Sequence, residues 1–215
     1  MKKTIVYIDG YNLYYGLLKG TRDKWLDLAK FSKALLREDH EIVQIKYFTA
    51  PIRTYPFDAA AVDRQKIYLQ ALSTFPNLKT ILGFYSKNNA LMPASTEECR
   101  KCGNSRGGFL NVMKLEEKRS DVNIATEMIL DALDVDAEAY VLISGDSDFI
   151  SPVSMVRKRF EKTVIVFSPH EGLSGLKPYA SYYRNIPRNL PAQCQLPDVI
   201  PIGCGKKFIH KPETW

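Results

Sequence analysis

Residues 4–12 read TIVYIDGYN, and residues 140–149 read YVLISGDSDF. Each is a run of β-branched and aromatic residues that stops at an acid, Asp9 in the first and Asp146 in the second. Such a run, bounded by Gly, is the pattern of a buried strand that ends in a carboxylate. In open α/β sheets, ligands sit outside the carboxyl ends of the strands. Two acidic strand ends are therefore expected to converge on one pocket. A carboxylate cluster there asks for a hard divalent cation.

Outward from these runs, strand and helix patterns alternate. Residues 3–9, 42–49, 79–85, 139–144 and 163–167 read as strands. Residues 11–19, 31–37, 59–75, 121–133 and 151–160 read as helices. Alternation of this kind predicts an α/β fold: a Rossmann-like three-layer α/β/α sandwich with a mainly parallel sheet of about five strands. The near-continuous apolar strands suit a sheet covered on both faces. Residues 86–119 carry Cys, Pro and Gly punctuation and read as a loop. Residues 1–186 are expected to form one domain. Residues 187–215 are Pro- and Gly-rich, lack a helical period, and read as an irregular tail laid on the domain or on a partner.

The net charge of +6 is unevenly spread. Residues 1–150 hold 20 Lys and Arg against 20 Asp and Glu, whereas residues 151–215 hold 10 against 4. A basic flank beside an acidic centre suits a polyanionic substrate, although a solvated basic surface explains it equally well. No apolar run of about 18 residues exists to span a membrane. Lys2-Lys3 before TIVYI mimics a signal peptide, but Asp9 interrupts it too early, and the chain reads as cytoplasmic. Four cysteines then read as thiols or metal ligands rather than disulfides.

Asp121 follows Ser120, an N-cap residue type, at the mouth of the helix DVNIATEMILDAL. Singly, Asp9, Asp121, Asp146 and Asp148 each have an ordinary explanation as cap or turn residues. Together they form the oxygen-rich set that Mg²⁺ or Mn²⁺ takes. A metal ion would lower the pKa of a bound water and neutralise a phosphate, so no nucleophilic side chain is needed. The chain shows no GxSxG elbow and no Walker A loop, and His40, His170 and His210 lie in unconnected contexts. A phosphatase of the haloacid dehalogenase type needs a second Asp two residues after the first; here that position is Tyr11.

The segments YIDGYNLYYG, EKRSDVNIATEMILDAL and VLISGDSDFISPV resemble the NYN family, a branch of the PIN-like ribonucleases that includes LabA-like proteins. The resemblance spans residues 3–186. It implies a PIN-like sandwich and metal-dependent RNA cleavage. It also implies that Asp9, Asp121 and Asp146 bind metal, with Asp148 as a fourth acid acting directly or through water. Asn12 and Ser144 would orient water, carboxylate or phosphate. The expected activity is an endoribonuclease that leaves a 5′-phosphate and a 3′-hydroxyl. The rivals are a DNA- or flap-directed nuclease and a catalytically silent RNA-binding protein.

Lys114, Lys118 and Arg119 lead into Asp121 and are candidate phosphate contacts, Lys118 foremost. Arg157, Lys158 and Arg159 follow Asp148. Tyr11, Tyr14 and Tyr15 flank Asn12 and either stack on a base or fill core. Cys99 and Cys102 have the spacing of half a zinc knuckle. Reduced, metal-free thiols are the default there. A structural Zn²⁺ site would need Cys194 and Cys204 brought in by the tail. The sequence leaves the oligomeric state open.

Overall fold

The computed structural model describes residues 1–52, 60–93, 109–172, 174–203, 207–213 and 215. In chain order the elements are β1 (Lys2–Asp9), α1 (Gly10–Leu13), a π-helical turn (Tyr14–Leu18), α2 (Leu28–Leu35), β2 (His40–Thr49) and α3 (Ala60–Leu72). They continue with β3 (Leu78–Leu82), β4 (Phe84–Pro93), β5 (Phe109–Lys118), α4 (Ser120–Asp134) and β6 (Ala139–Ile143). After a 3₁₀ turn (Ser147–Phe149) come α5 (Ile150–Lys158), β7 (Thr163–Ser168), β8 (Tyr182–Asn185), α6 (Leu190–Gln193), β9 (Val199–Ile202) and β10 (Lys207–His210).

The central sheet has six strands in the order β3-β2-β1-β6-β7-β8, and every pairing is parallel. Counted within the sheet, this is 3-2-1-4-5-6, the doubly wound order, and it reverses between β1 and β6. The alternation of side chains along β1 and β6 shows why both runs are apolar throughout. Val6, Ile8, Val141 and Ile143 face a core shared with Leu13, Trp25, Phe31 of α2 and Leu72 of α3. Ile5, Tyr7, Tyr140 and Leu142 face a second core with Met128 of α4 and Val153 of α5. Both faces are covered, as a parallel sheet requires.

Three expectations change. The sixth strand, β8, is four residues long, pairs among the described residues only with β7 and keeps most of its side chains exposed, so it lacks an apolar run. Residues 86–119 are not simply a loop. β4 and β5 form a ten-pair antiparallel hairpin from Phe84↔Lys118 to Pro93↔Phe109, whose apolar residues, Leu91, Phe109 and Met113 among them, are exposed rather than set on one buried face. Cys99 and Cys102 lie outside the described residues, as does Cys204, so the zinc alternative does too. Third, the tail holds α6 and a β9–β10 ribbon. Cys194, Leu196, Ile200 and Ile209 join the first core, and the Trp25 indole donates to Pro197 O at 3.0 Å. Among the described residues, no helix is long and apolar enough to cross a membrane.

Candidate active site at the sheet switch point

Asp9 ends β1 and Ser144-Gly145-Asp146 follows β6, so both lie at the carboxyl edge where the strand order reverses. Asp9 caps α1: one carboxylate oxygen accepts the Asn12 backbone N–H at 2.9 Å. The other accepts the Ser144 hydroxyl at 2.9 Å. Ser144 Oγ in turn accepts the Asp146 N–H at 3.1 Å. The Asn12 side-chain oxygen accepts the Gly145 N–H at 2.8 Å. Asp146 repeats the capping motif, accepting the Asp148 N–H at 3.0 Å. The two strand ends are thus laced together by Asn12 and Ser144.

The glycines act by proximity. Gly10 and Gly145 both have negative φ. A Cβ on Gly10 would meet Phe48 O at 2.5 Å and the Tyr47 ring at 2.8 Å. A Cβ on Gly145 would meet Ser168 Oγ at 2.8 Å. Each glycine therefore lets the turn lie directly against a neighbouring strand.

Asp9 is only 3 % exposed. Burial pushes its pKa up to about 7, against the two hydrogen bonds it accepts, and Asp121 and Glu117 push it further the same way. Asp121 stands in the first turn of α4 with its carboxylate exposed. Loss of water on its inner side, then the charges of Asp146 and Asp148, raise its pKa. Asp146 is half-buried and Asp148 exposed. Asp121 thus links the set: its charge acts on Asp9, and the charges of Asp146 and Asp148 act on it.

Glu117 on β5 is a fifth acid that the sequence reading missed. It is half-buried, with its pKa raised first by burial and also by Asp121, against the hydrogen bond from Ser120. That bond changes the expected start of α4. Ser120 is the first helical residue, and its hydroxyl goes to Glu117 rather than capping. The cap position is Arg119, held in the left-handed region at φ 78°. Strand alternation along β5 would have pointed to Glu117, but only once 109–118 is read as a strand.

The chemistry of the set fits a divalent cation: hard oxygen donors, with crowded like charges that a cation would relieve. As the side chains stand, no group of three or more His, Cys, Asp or Glu among the described residues is arranged to hold a metal ion.

The predicted cations are spread differently. Lys114 and Lys118 both pair with Glu116, Lys118 at 3.0 Å. The Arg119 guanidinium lies 4.7 Å from the centre of the Phe84 ring. Arg157 donates to Pro178 O and Tyr179 O at 3.3 and 3.2 Å. Ser144 is fully buried and touches Asp9 rather than solvent. Tyr11, Tyr14 and Tyr15 do not fill core; all three are exposed. With Gly10 and Glu117 they line a cleft of about 570 Å³ beside Asp9. Its walls also carry Tyr47, Tyr85 and Trp215, which the sequence reading did not single out.

Comparisons with known proteins agree with this architecture. The NYN domain matches residues 3–186. The 6-hydroxy-3-succinoylpyridine 3-monooxygenase HspA of Pseudomonas putida is 32% identical, over 99% of this chain and 75% of that protein. A crystal structure of a protein of unknown function from Vibrio parahaemolyticus superposes with a TM-score of 0.54 at 22% identity, over 86% of this chain and 93% of that one. The domain match covers the sheet, the laced strand ends and the mouth of α4 together, and the chain belongs to the NYN domain family, with its PIN-like nuclease fold.

Proposed function

We propose that the chain is a divalent-cation-dependent endoribonuclease acting at the acidic rim between β1 and β6. The observation that carries this reading is the meeting of the Asp9 and Asp146 strand ends at the switch point of the sheet, laced by Ser144 and Asn12, with Asp121 near enough to be raised by the Asp146 and Asp148 charges. Mg²⁺ or Mn²⁺ held by these acids would acidify a bound water and neutralise the attacked phosphate. The protein's own part is positioning. Ser144 and the Asn12 N–H fix both oxygens of Asp9, and Asn12 fixes the Gly145 turn that presents Asp146. Lys118, at the end of the hairpin beside α4, and Lys114, farther along β5, supply phosphate contacts by exchanging Glu116 for the substrate.

The test is Asp146→Asn in the full chain. Cleavage of RNA with Mg²⁺ or Mn²⁺ is expected to be abolished while RNA binding persists. Calorimetric titration with Mn²⁺ should show affinity falling at least tenfold, the loss of one charged ligand. Equal cleavage by mutant and wild type would remove the site assignment. A matched DNA substrate separates RNase from DNase action. Binding of RNA without cleavage by the wild type would favour a silent RNA-binding protein.

A second reading rests on the relative that is named a monooxygenase: oxygenation of a small pyridine-type substrate. Incubation with 6-hydroxy-3-succinoylpyridine, air and a reduced nicotinamide donor, followed by mass spectrometry, tests it directly. Because C3 of that substrate already carries the succinoyl group, oxygenation there must expel it, so a dihydroxypyridine that takes up ¹⁸O from ¹⁸O₂, together with a released four-carbon acid, would support it.

A further inference from the structure

The cleft beside Asp9 is larger than the acidic rim needs. At about 570 Å³ it falls within the size range of small-molecule sites, and its walls come from separate parts of the fold. Tyr11 comes from α1 and Tyr15 from the π-helical turn that follows it, with ring centroids 4.4 Å apart and planes tilted by 37°. Tyr14 meets Tyr15 edge-on at 5.2 Å. Tyr15 remains 46 % exposed although its ring already carries the Lys19 ammonium at 4.6 Å. Exposed aromatic rings held in fixed mutual contact offer flat faces at low entropic cost.

On the same walls, Tyr47 on β2 and Tyr85 on β4 supply phenol groups. Burial, then the nearby Glu117 carboxylate, keeps Tyr85 neutral well past the ordinary phenol range, so its hydroxyl stays a donor. The same wall set contains two cations, Lys24 and Arg64. Lys24 spends one N–H on Thr21 O at 2.9 Å and has two more to offer. Flat rings, neutral phenol donors and cations in one concave site define a ligand by chemistry.

We propose that this cleft binds one planar heteroaromatic ring bearing an anionic group, the ring received by Tyr11 and Tyr15 and the anion by Lys24. Two sources share that chemistry. One is a nucleotide of the substrate strand, and that arm rests on the nuclease reading above. The other is a free heterocyclic acid.

The experiment is a fluorescence and calorimetric titration of the full chain with the four nucleoside 5′-monophosphates, pyridine-3-carboxylate and inorganic phosphate. Saturable binding is expected for a ring-bearing acid, at least tenfold tighter than for inorganic phosphate. Tyr15→Ala should weaken it by roughly five- to a hundred-fold, the range for loss of one stacking platform. Lys24→Gln should weaken a nucleotide more than the matching nucleoside. Preference for a nucleotide assigns the strand as source; preference for pyridine-3-carboxylate assigns the free acid.

Absence of saturable binding by any ring-bearing acid overturns the proposal. So does binding that Tyr15→Ala leaves unchanged in a variant whose circular dichroism matches wild type. RNA cleavage measured on the same preparations separates the two ideas. Asp146-dependent cleavage with Tyr15-independent binding sinks the cleft alone. Tyr15-dependent binding of pyridine-3-carboxylate without RNA cleavage leaves the cleft and removes the nuclease.

Discussion

Asp9 is charged against its surroundings, and that gives a pH signature. Its folded pKa is near 7, while the unfolded value is the ordinary 3.8. As pH rises through that interval the unfolded chain gives up the proton first, so the metal-free protein loses stability from about pH 4 to about pH 7 and no further above it. Asp9→Asn removes the charge. In chelator, the variant should exceed wild type above pH 7 by no more than roughly 4 kcal/mol, and the two should converge below pH 4. Urea denaturation at pH 4, 5.5 and 8 checks this; an Asp9→Asn variant less stable than wild type at pH 8 contradicts it. At this scale the sequence was largely readable. Asp9 and Asp146 announce themselves because an acid after a buried strand breaks the apolar pattern. Glu117 does not, because it sits among Lys114, Glu116 and Lys118 in a segment without an apolar period.

Elements are positioned by contacts the sequence does not advertise. The far end of α4 is fastened by a buried polar network. Lys46 on β2 donates to Asp131 at 2.6 and 2.8 Å and to Glu127 at 2.5 Å. Tyr7 on β1 donates to the same Asp131 carboxylate at 2.5 Å, and Tyr140 on β6 donates to Asp131 O at 3.1 Å. Three strands therefore hold one helical turn, and the opposite end of that helix presents Asp121. Sequence patterning marks Lys46 as a polar interruption of β2 but cannot name a partner 85 residues away. Removing one member strands a buried charge. Lys46→Met should destabilise by about 3–5 kcal/mol, and adding Asp131→Leu should restore much of that loss. A loss below about 1 kcal/mol in chemical denaturation would place the pair among surface ion pairs and remove its anchoring role.

Across the whole molecule, the strand order 3-2-1-4-5-6 puts the site where two chain-distant segments meet. Alternating patterns foretell a parallel sheet, yet the order is decided by crossovers, and only the two acidic ends hint that β1 and β6 are neighbours. The hairpin, β8 and the C-terminal ribbon escape a sequence reading because each is short or exposed and lacks the apolar period of a buried strand. The ribbon has the larger consequence. It sets Ile200 and Ile209 into the core around Trp25, while Trp215 lies 5.2 Å from the Tyr68 ring and on the cleft wall. A tail that merely lay on the surface would tolerate truncation of its apolar side chains. Ile209 is buried, whereas its neighbour Phe208 is exposed, so the ribbon contains its own control. Ile209→Ala should cost about 2–5 kcal/mol, the range for a core isoleucine, and Phe208→Ala should stay within about 0.5 kcal/mol of wild type. Thermal and urea unfolding of the two variants decide it. Equal, small effects would mean that the last segment contributes nothing to the fold, and the Trp215 wall of the cleft would lose its support with it.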